Sequence, residues 1–467
     1  MKTKKPNILL MMADDHRGQS IGALGENLLS TPTMNRLIRE GACFTRNAHT
    51  GSYHPAVCIP TRAALHTGTC VYEASRQKDF RDADFPDSHT INPERVTLGE
   101  ALRGEGYHSY FIGKWHNDNA SLNRSYCDGR YIFLGGMSDH YQVLLNDYDP
   151  TGEYPDEKRY VIPRHDTELY SEAAIEFLDG YKDESPFFLT VAFTSPHDPR
   201  QAPEDFSVPG GKDGIPLPPN FQQHPFDQGH RDIRDEQLAA FPREEDEVRR
   251  HIGDYYAMIQ HQDTHMGLIL EALERRGELE NTIIIYTGDH GLAVGQHGLM
   301  GKQNLYEPSV RVPLILRGPG IPQGLRSEAL TYTPDLFPTL CALTETVVPE
   351  TVTARSLMPL IEGETRSLHE HQFCLYFNLQ RSVSDGRFKL IRYYEQEPDW
   401  TGLSTGTDTV QLFDLHEDPS ETRNLYGKQA YLPQARRLAE ALREHMCRHD
   451  DMLKDVPILI DALAHTS

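Results

Sequence analysis

Short apolar runs alternate with helical patterns over the first three-quarters of the chain. The runs are rich in β-branched and aromatic residues and predict strands at residues 7–12, 107–112, 187–193, 282–287 and 312–316. Between them, helical spacing of apolar residues predicts helices near residues 98–103, 168–178, 244–276 and 334–343. Thr31 and Pro32 predict a capped helix that ends at Gly41. This alternation predicts an α/β fold with a mainly parallel central sheet sandwiched by helices.

The pattern changes near residue 372, where short strands separated by turns replace the alternation. Strands are predicted at residues 373–377, 381–384, 388–394 and 410–415, followed by a basic amphipathic helix at 432–447. We therefore expect two domains: a large α/β domain over residues 1–370, and a four-stranded antiparallel sheet plus helix over residues 371–467. A proline-rich segment at 203–225 interrupts the first domain and is interpreted as an ordered excursion or lid.

Composition excludes some classes of partner. The chain has 467 residues and a formal net charge of −23 at pH 7, which argues against binding to nucleic acid or anionic membranes because phosphate contacts need clustered Lys and Arg. No apolar stretch is long enough to span a bilayer. The seven cysteines are odd in number and form no C-x-x-C pair, so we expect a reducing, cytoplasmic compartment. A periplasmic or secreted location would follow if a signal peptide preceded this sequence.

Four predicted strands are followed by reactive polar groups. Because ligands of an open parallel sheet bind beyond the carboxyl ends of its strands, these groups are expected to share one site. The four segments are Asp14-Asp15-His16, Lys114-Trp115-His116, Ser195-Pro196-His197-Asp198 and Asp289-His290.

Asp14, Asp15, Asp289 and His290 form a candidate cation site. Adjacent carboxylates repel each other unless positive charge lies between them. Three carboxylates favour Ca²⁺ or Mg²⁺, whereas the imidazole also suits Mn²⁺ or Zn²⁺, so calcium is our first choice and manganese the second. The alternative for Asp14-Asp15 is a helix cap next to a solvated acid.

The residues 58–62 spell C-I-P-T-R, and Thr67-Gly68 follows four residues later. On a helix, Arg62 lies one turn after Cys58, where its guanidinium can stand beside a nucleophile and an anion. Lys114 and Lys302 suit anionic oxygens, and histidines such as His116 and His197 move protons near neutral pH. These groups fit an anion-transfer site; the alternatives are a buried, inert cysteine and histidines that only pack.

Together these segments closely resemble the type I, formylglycine-dependent sulfatases of the alkaline phosphatase superfamily. The resemblance runs from residue 7 to about residue 425. It rests on N-I-L-L-M-M-A-D-D, C-I-P-T-R-A-A-L-H-T-G, G-K-W-H, S-P-H-D-P, T-G-D-H-G-L-A-V-G-Q-H-G-L-M-G-K and L-F-D-L-H-E-D-P-S-E-T-R-N-L. It implies an alkaline-phosphatase-like fold and hydrolysis of a sulfate ester.

The resemblance also implies a role for each singled-out residue. Cys58, converted to formylglycine by a formylglycine-generating maturation enzyme, would be the nucleophile and an oxygen ligand of the metal. The other metal ligands would be Asp14, Asp15, Asp289 and His290.

The remaining catalytic residues would handle the sulfate and the protons. Arg62 would hold the formylglycine hydroxyl, and Lys114 and Lys302 the sulfate oxygens. His116 would take the proton that releases sulfate, and His197 would bind sulfate or protonate the leaving alcohol with help from Lys302.

His290 departs from the pattern of many family members, which have Asn there. The variant also occurs among phosphonate and phosphodiester hydrolases of the superfamily, so metal identity and the choice between sulfur and phosphorus stay open. A non-enzymatic, carbohydrate-binding protein whose cysteine is never converted is a further alternative.

The leaving group is predicted from polar residues that follow the catalytic segments. Mixed Asp, Asn, His and Arg suit sugar hydroxyls better than a plain aryl ring. We therefore expect exo-acting desulfation of a sulfated mono- or oligosaccharide; the alternative is that these residues are solvated loop. The candidates are residues 72–81 together with Asn117, Asp118, Asp139, His140, Arg164, His165, Arg200 and Gln201.

Overall fold

The computed structural model describes residues 4–75, 89–208, 214–228, 233–395 and 407–459. Its strands are β1 (Asn7–Ala13), β2 (Ala42–Ala48), β3 (Gly51–Ser52), β4 (His108–Lys114), β5 (Asp128–Phe133), β6 (Phe187–Ala192), β7 (Thr282–Gly288), β8 (Leu314–Arg317), β9 (Leu325–Tyr332), β10 (Gln372–Tyr376), β11 (Gln380–Ser384), β12 (Phe388–Tyr393) and β13 (Thr409–Asp414). Its helices are α1 (Pro32–Glu40), α2 (Cys58–Thr67), α3 (Val71–Ala74), α4 (Leu98–Gly104), α5 (Asn119–Ser125), α6 (Asp166–Gly180), α7 (Glu245–Arg275), α8 (Glu307–Val310), α9 (Leu336–Leu343), α10 (Met358–Ile361) and α11 (Leu432–Arg448).

The large sheet has eight strands in the order β5-β4-β6-β1-β7-β8-β2-β9. All neighbouring strands are parallel except β8, which runs antiparallel to both β7 and β2. This arrangement confirms the predicted α/β fold with a mainly parallel sheet. The strand predicted at 312–316 is therefore the exception to the parallel pattern.

Three strands of this sheet were not predicted, namely β2, β5 and β9. Each carries charged residues within it, as in A-C-F-T-R-N-A, D-G-R-Y-I-F and L-R-S-E-A-L-T-Y. β5 and β9 are the two edges of the sheet, where one side of the strand is not covered by a neighbour. Edge strands tolerate polar residues, so they lack the continuous apolar signature of the central strands.

The central strand β1 separates two apolar layers. Leu9 and Met11 belong to a core formed with α6 and α7, whereas Ile8, Leu10 and Met12 belong to a core formed with α2, α4 and α9. Alternate residues of a strand point to opposite faces, so a strand covered on both sides must be apolar at every position. The entire strand β1 is buried.

The small sheet has the order β13-β12-β11-β10-β3. β10 to β13 are the four predicted antiparallel strands, and α11 packs on them through Leu438 and Leu442. A fifth strand, β3, pairs parallel to β10 from the opposite end of the chain. At Gly51, φ is +106°, and a Cβ would lie 2.3 Å from the Leu375 carbonyl oxygen, so this junction needs glycine.

The start of α1 shows a cap that the sequence did not indicate. Thr31 precedes the helix, but its side chain accepts a hydrogen bond from Gly22 N instead of capping the first turn. The cap comes from Asp263 on α7, whose carboxylate accepts hydrogen bonds from Thr33 N and Met34 N at 2.9 and 2.8 Å. Burial raises the pKa of Asp263 to about 6, although these amides oppose the shift.

The proline-rich excursion packs on the main domain. Val208 and Ile215 are both buried in the core that contains α7. Residues 209–213 of the segment lie outside the described residues. In the part of the chain that the structure describes, no helix combines the length and apolarity needed to cross a bilayer.

Candidate active site

The reactive segments predicted from the sequence meet at one edge of the large sheet. β4, β6, β1 and β7 are adjacent and parallel, so their carboxyl ends lie side by side. Lys114 is the last residue of β4, Asp14 follows β1, and Asp289 follows β7. His197 comes from the loop after β6. The sheet thus delivers acid, base and cation to one place.

Cys58 is buried at the first position of α2, facing these strand ends. Its Sγ lies 3.0 Å from His116 Nδ1 and 3.8 Å from Lys114 Nζ. His116 has a φ of +56°, so the chain turns sharply after β4 and directs the imidazole back toward Cys58. Burial, and then Lys114, hold the pKa of His116 well below its usual range, which keeps the ring neutral and able to accept a proton.

Buried ligand atoms converge beside Cys58. One ligand atom each from Asp14, Cys58, Asp289 and His290 lies within 4.8 Å of the others. His290 Nε2 is 3.7 Å from Asp14 Oδ1 and 3.6 Å from Asp289 Oδ1. A second set, which overlaps the first at Asp14, consists of Asp14, Asp15 and His197.

Two unpartnered atoms show that this cluster fits a metal ion. Asp14 Oδ1 and His290 Nε2 are buried and have no hydrogen-bond partner. His290 Nδ1 lies 3.1 Å from the Gly291 carbonyl oxygen, which can only accept, so Nδ1 carries a proton. Nε2 is therefore the atom that would bind a cation, once a cation displaces its own proton. Buried polar atoms without partners are costly, and a cation between them would satisfy both.

The charges in the cluster favour a cation in the same place. Burial alone would raise the pKa of Asp14, but Lys114 and His197 hold it well below its usual range. Burial alone would lower the pKa of His290, but Asp289 raises it to about 9 despite the opposing Lys302. Asp14 therefore stays ionised, and the neighbouring acidic side chains favour positive charge at His290.

Arg62 and Lys302 form the cationic side of the site. Arg62 donates from Nε to Asp289 Oδ2 at 2.9 Å and from Nη1 to the Lys114 carbonyl at 2.5 Å, and its Nη2 has no hydrogen-bond partner. Lys302 Nζ lies 2.9 Å from both Asp15 Oδ1 and His197 Nε2. Burial opposes the charge of Lys302, but Asp15 raises its pKa well above the usual range. These fixed donors suit an anion.

Cys58, His116, His197 and Lys302 lie at one end of a cavity of about 380 Å³. The wall has polar and aromatic parts. Its other residues are Pro55, Ala56, Gly136, Met137, Ile233, Arg234, Asp235, Gln303, Tyr376, Phe377 and Leu379. None of these residues was predicted from the sequence as a site residue. The last three, Tyr376, Phe377 and Leu379, belong to the C-terminal unit, which is the part of the chain from residue 371 that carries β10 to β13 and α11.

Arg234 is the most accessible charge in this wall, with 47% of its side chain exposed. It forms ion pairs with Asp198 and Asp235, each at 2.6 Å. Asp198 lies next to His197 in the sequence, within one of the predicted reactive segments. Arg234 is 36 residues away, and no local motif marks it as a site residue.

The predicted leaving-group contacts have other roles in the structure. Asp118 caps α5 by accepting from Ser121 N at 2.8 Å, and His165 caps α6 by accepting from Thr167 N at 3.2 Å. Arg164 is exposed and pairs with Glu172 at 2.6 Å. These three residues stabilise local structure.

Four further candidates support the site from outside the cavity, or stand apart from it. His140 donates from Nε2 to the His197 carbonyl at 3.0 Å and so positions that loop. Asp139 accepts from Gln201 Nε2 at 2.8 Å. Arg200 is half-buried, with Nη1 2.7 Å from His251 Nδ1, and desolvation lowers its pKa. Asn117 is buried with both side-chain polar atoms unpartnered. In segment 72–81, residues 76–81 lie outside the described residues.

The sequence matches two protein-family models. Residues 6–346 match the model of the sulfatase family, and residues 295–448 match the model described as N-sulphoglucosamine sulphohydrolase, C-terminal. The first match spans well over half of the chain.

Several known proteins align with nearly the full length of this chain. An N-acetylglucosamine-6-O-sulfatase of Bacteroides thetaiotaomicron is 25% identical, over 96% of this chain and 88% of the relative. A solved structure in complex with its substrate D-glucosamine-2-N,6-O-disulfate has a TM-score of 0.77 at 24% identity, covering 97% and 99% of the two chains. A phosphonate monoester hydrolase from Silicibacter pomeroyi has a TM-score of 0.72 at 20% identity, covering 97% of each. The two structures share the fold.

Proposed function

Because the chain belongs to the sulfatase family and is a sulfuric ester hydrolase, we propose that it removes sulfate from the chain end of a small sulfated saccharide. Its nucleophile would be formylglycine made from Cys58, and its cofactor a divalent cation, with calcium first and Mn²⁺ or Mg²⁺ as alternatives. The observation that carries this proposal is the position of Cys58. Its Sγ lies within 4.8 Å of ligand atoms of Asp14, Asp289 and His290 and 3.0 Å from His116 Nδ1, at the end of a cavity.

Two absent groups would supply part of the chemistry. Formylglycine at position 58, once hydrated, would supply one hydroxyl to take up the sulfuryl group and a second whose deprotonation releases sulfate. A divalent cation held by Asp14, Asp15, Asp289, His290 and residue 58 would draw charge from the sulfate oxygens.

The residues of the chain handle the charge and the protons. Arg62, whose Nη2 has no hydrogen-bond partner, would hold the formylglycine hydroxyl, and Lys114 Nζ donates to the sulfate oxygens. Both donors are fixed by burial, so little reorganisation is needed as charge develops. His197, with Lys302 at 2.9 Å, protonates the departing alkoxide. His116 is neutral and accepts the proton whose removal releases sulfate.

The size and wall of the cavity support a small saccharide. About 380 Å³ is enough for one or two sugar units. The wall is mainly apolar, with aromatic side chains that can pack on a ring face and a few polar side chains, such as Arg234, that can bind hydroxyls. The glucosamine-based substrates of the two sulfated-sugar relatives, together with the matched C-terminal model, support an amino sugar within this class. We also propose a cytoplasmic location, which is supported by seven cysteines that form no disulfide.

Hydrolysis of a phosphonate monoester or phosphodiester is the second candidate. It is favoured by His290 beside Asp289 and by the shared fold of the phosphonate monoester hydrolase. Turnover of matched aryl sulfate and aryl phosphonate esters decides between the two. A preference for phosphorus by more than tenfold would overturn the choice of sulfate.

The direct test uses protein co-expressed with a formylglycine-generating enzyme. We expect sulfate release from a panel of sulfated glucosamine monosaccharides and disaccharides, measured by ion chromatography, with Cys58→Ala protein from the same host as the control. Mass spectrometry of the peptide that contains residue 58 should show the aldehyde. An unmodified thiol from this host, together with saccharide binding but no turnover, would favour the carbohydrate-binding alternative.

A further inference from the structure

Three metal-binding side chains from distant parts of the chain meet between α3 and the end of α11. Cys70 precedes α3, Glu73 lies on it, and His449 follows the last residue of α11. One ligand atom from each lies within 4.8 Å of the other two. None of the three belongs to the catalytic cluster, and only Glu73 lies in the segment 72–81 that was predicted to contact the leaving group. The tertiary structure alone brings them together, because Cys70 and His449 are 379 residues apart.

The distance between Cys70 and His449 is close to that of two ligands of a tetrahedral metal. Cys70 Sγ lies 3.9 Å from His449 Nδ1. Two ligands at the usual Zn–S and Zn–N lengths stand about 3.5 Å apart at a tetrahedral angle. Small side-chain rotations would therefore place one ion between them. Thiolate with imidazole favours Zn²⁺ over Ca²⁺ or Mg²⁺, and a carboxylate is an accepted third ligand.

Neighbouring rings hold His449 in place. Its imidazole stacks on Tyr72, with ring centroids 4.8 Å apart and an interplanar angle of 9°. His445 lies one turn earlier on α11, with its ring centroid 4.6 Å from that of His449. The His445 ring in turn stacks on Phe373, with centroids 3.9 Å apart. The site also lies at the C-terminal end of α11, where the helix dipole favours a cation.

One existing ion pair competes for Glu73. Arg95 Nη2 lies 3.5 Å from Glu73 Oε2, and Thr353 Oγ1 donates to the same oxygen at 3.3 Å. A carboxylate has two oxygens with several acceptor positions, so these contacts leave capacity for a metal.

An ion can reach the cluster from solvent. Cys70, Glu73 and His449 line a cavity of about 890 Å³ between the large domain and the C-terminal unit. We propose that Cys70, Glu73 and His449 form a Zn²⁺ site whose fourth position faces this cavity. The ion fastens α11 to the segment that directly follows α2. Since the C-terminal unit supplies Tyr376 and Phe377 to the active-site cavity, the bound ion also steadies that wall.

Cobalt spectroscopy tests this site without using activity. In the Cys58→Ser background, which removes the active-site thiol, Co²⁺ should produce a thiolate-to-cobalt charge-transfer band in the near ultraviolet. Adding Cys70→Ser should abolish the band, whereas adding Cys447→Ser, which removes an exposed thiol on α11, should leave it unchanged. Absence of the band in the background, or its persistence without Cys70, would overturn the proposal.

Zinc binding provides the second measurement. Equilibrium dialysis with elemental analysis should give one more equivalent of Zn²⁺ in the Cys58→Ser background than in its Cys70→Ser derivative. Glu73→Gln and His449→Gln should each weaken this equivalent at least tenfold, and they decide the outcome if the Cys70→Ser protein does not fold. Zn²⁺ should raise the Tm of the background by several degrees and have a much smaller effect in the His449→Gln derivative. Equal stoichiometry and equal affinity in all variants would contradict the site.

Discussion

Replacing Asp289 by Ala should separate the stabilising role of this residue from its proposed role in metal binding. Asp289 Oδ2 accepts from Arg62 Nε at 2.9 Å, and both side chains are fully buried. Its other oxygen, Oδ1, accepts from His290 N at 2.8 Å. In metal-free protein, the substitution leaves the Arg62 guanidinium without its closest carboxylate, and removing one partner of a buried pair costs about 3–5 kcal/mol.

Bound metal should increase the difference in unfolding free energy between the wild type and the Ala variant. Wild-type protein gains about 2.7 kcal/mol at a hundredfold excess of cation over its Kd, a gain that the Ala variant lacks if Asp289 is a ligand. Asp289→Asn is the matched control, because its amide oxygen can still accept the backbone hydrogen bond while the charge is lost. We expect the Asn variant to lose less stability than the Ala variant and nearly as much metal affinity.

Urea unfolding with chelator and with Ca²⁺, together with elemental analysis and sulfate release, provides the measurement. The expected order of metal-free stability is wild type, then Asn, then Ala, with both variants poor in metal and in activity. An Ala variant that unfolds within about 1 kcal/mol of wild type in chelator would refute the energetic reasoning. A fully active preparation without divalent metal would refute the metal assignment.

Three further predictions follow from the same structure. Cys58→Ala should lower kcat by several orders of magnitude. Substrate binding, measured by calorimetry, should persist because Arg62 and the lysines remain. Near-normal turnover would contradict the assignment of residue 58 as the nucleophile. Burial raises the folded-state pKa of Asp263 from 3.8 to about 6, so its contribution to stability is present below pH 3.8 and is lost as the pH rises through 6. The urea midpoint of wild type should therefore fall relative to that of Asp263→Asn as the pH rises from about 4 to about 6. If the two midpoints keep a constant difference over this range, the prediction is wrong. Sulfated mono- to tetrasaccharides should be cleaved much faster than the parent polymer, because the protein carries a net charge of −23 that repels a polyanion and because the cavity is small. Added salt should reduce this difference in rate only partly, and equal rates per sulfate would contradict the prediction.

Among the predicted substrate contacts, the structure shows local roles that the sequence did not indicate. Asp118 and His165 were chosen because polar residues after catalytic segments suit hydroxyls, but both cap helices in the structure. A capping residue and a ligand-binding residue look alike in a sequence, since both are polar and both follow a turn. Only the position of the next helix separates the two roles.

The sequence by itself indicated the parallel sheet and the cluster of reactive side chains at its edge. Strand β1 is apolar from Ile8 to Ala13, and Asp14 directly follows it, so the signal lies within a few neighbouring residues. The tertiary structure decided which distant segments meet. It brought Phe377 to the cavity of Cys58, Asp263 to the start of α1, and His449 to Cys70. These contacts depend on strand order and on how helices pack across the sheet, and no local pattern of apolar and polar residues encodes that arrangement.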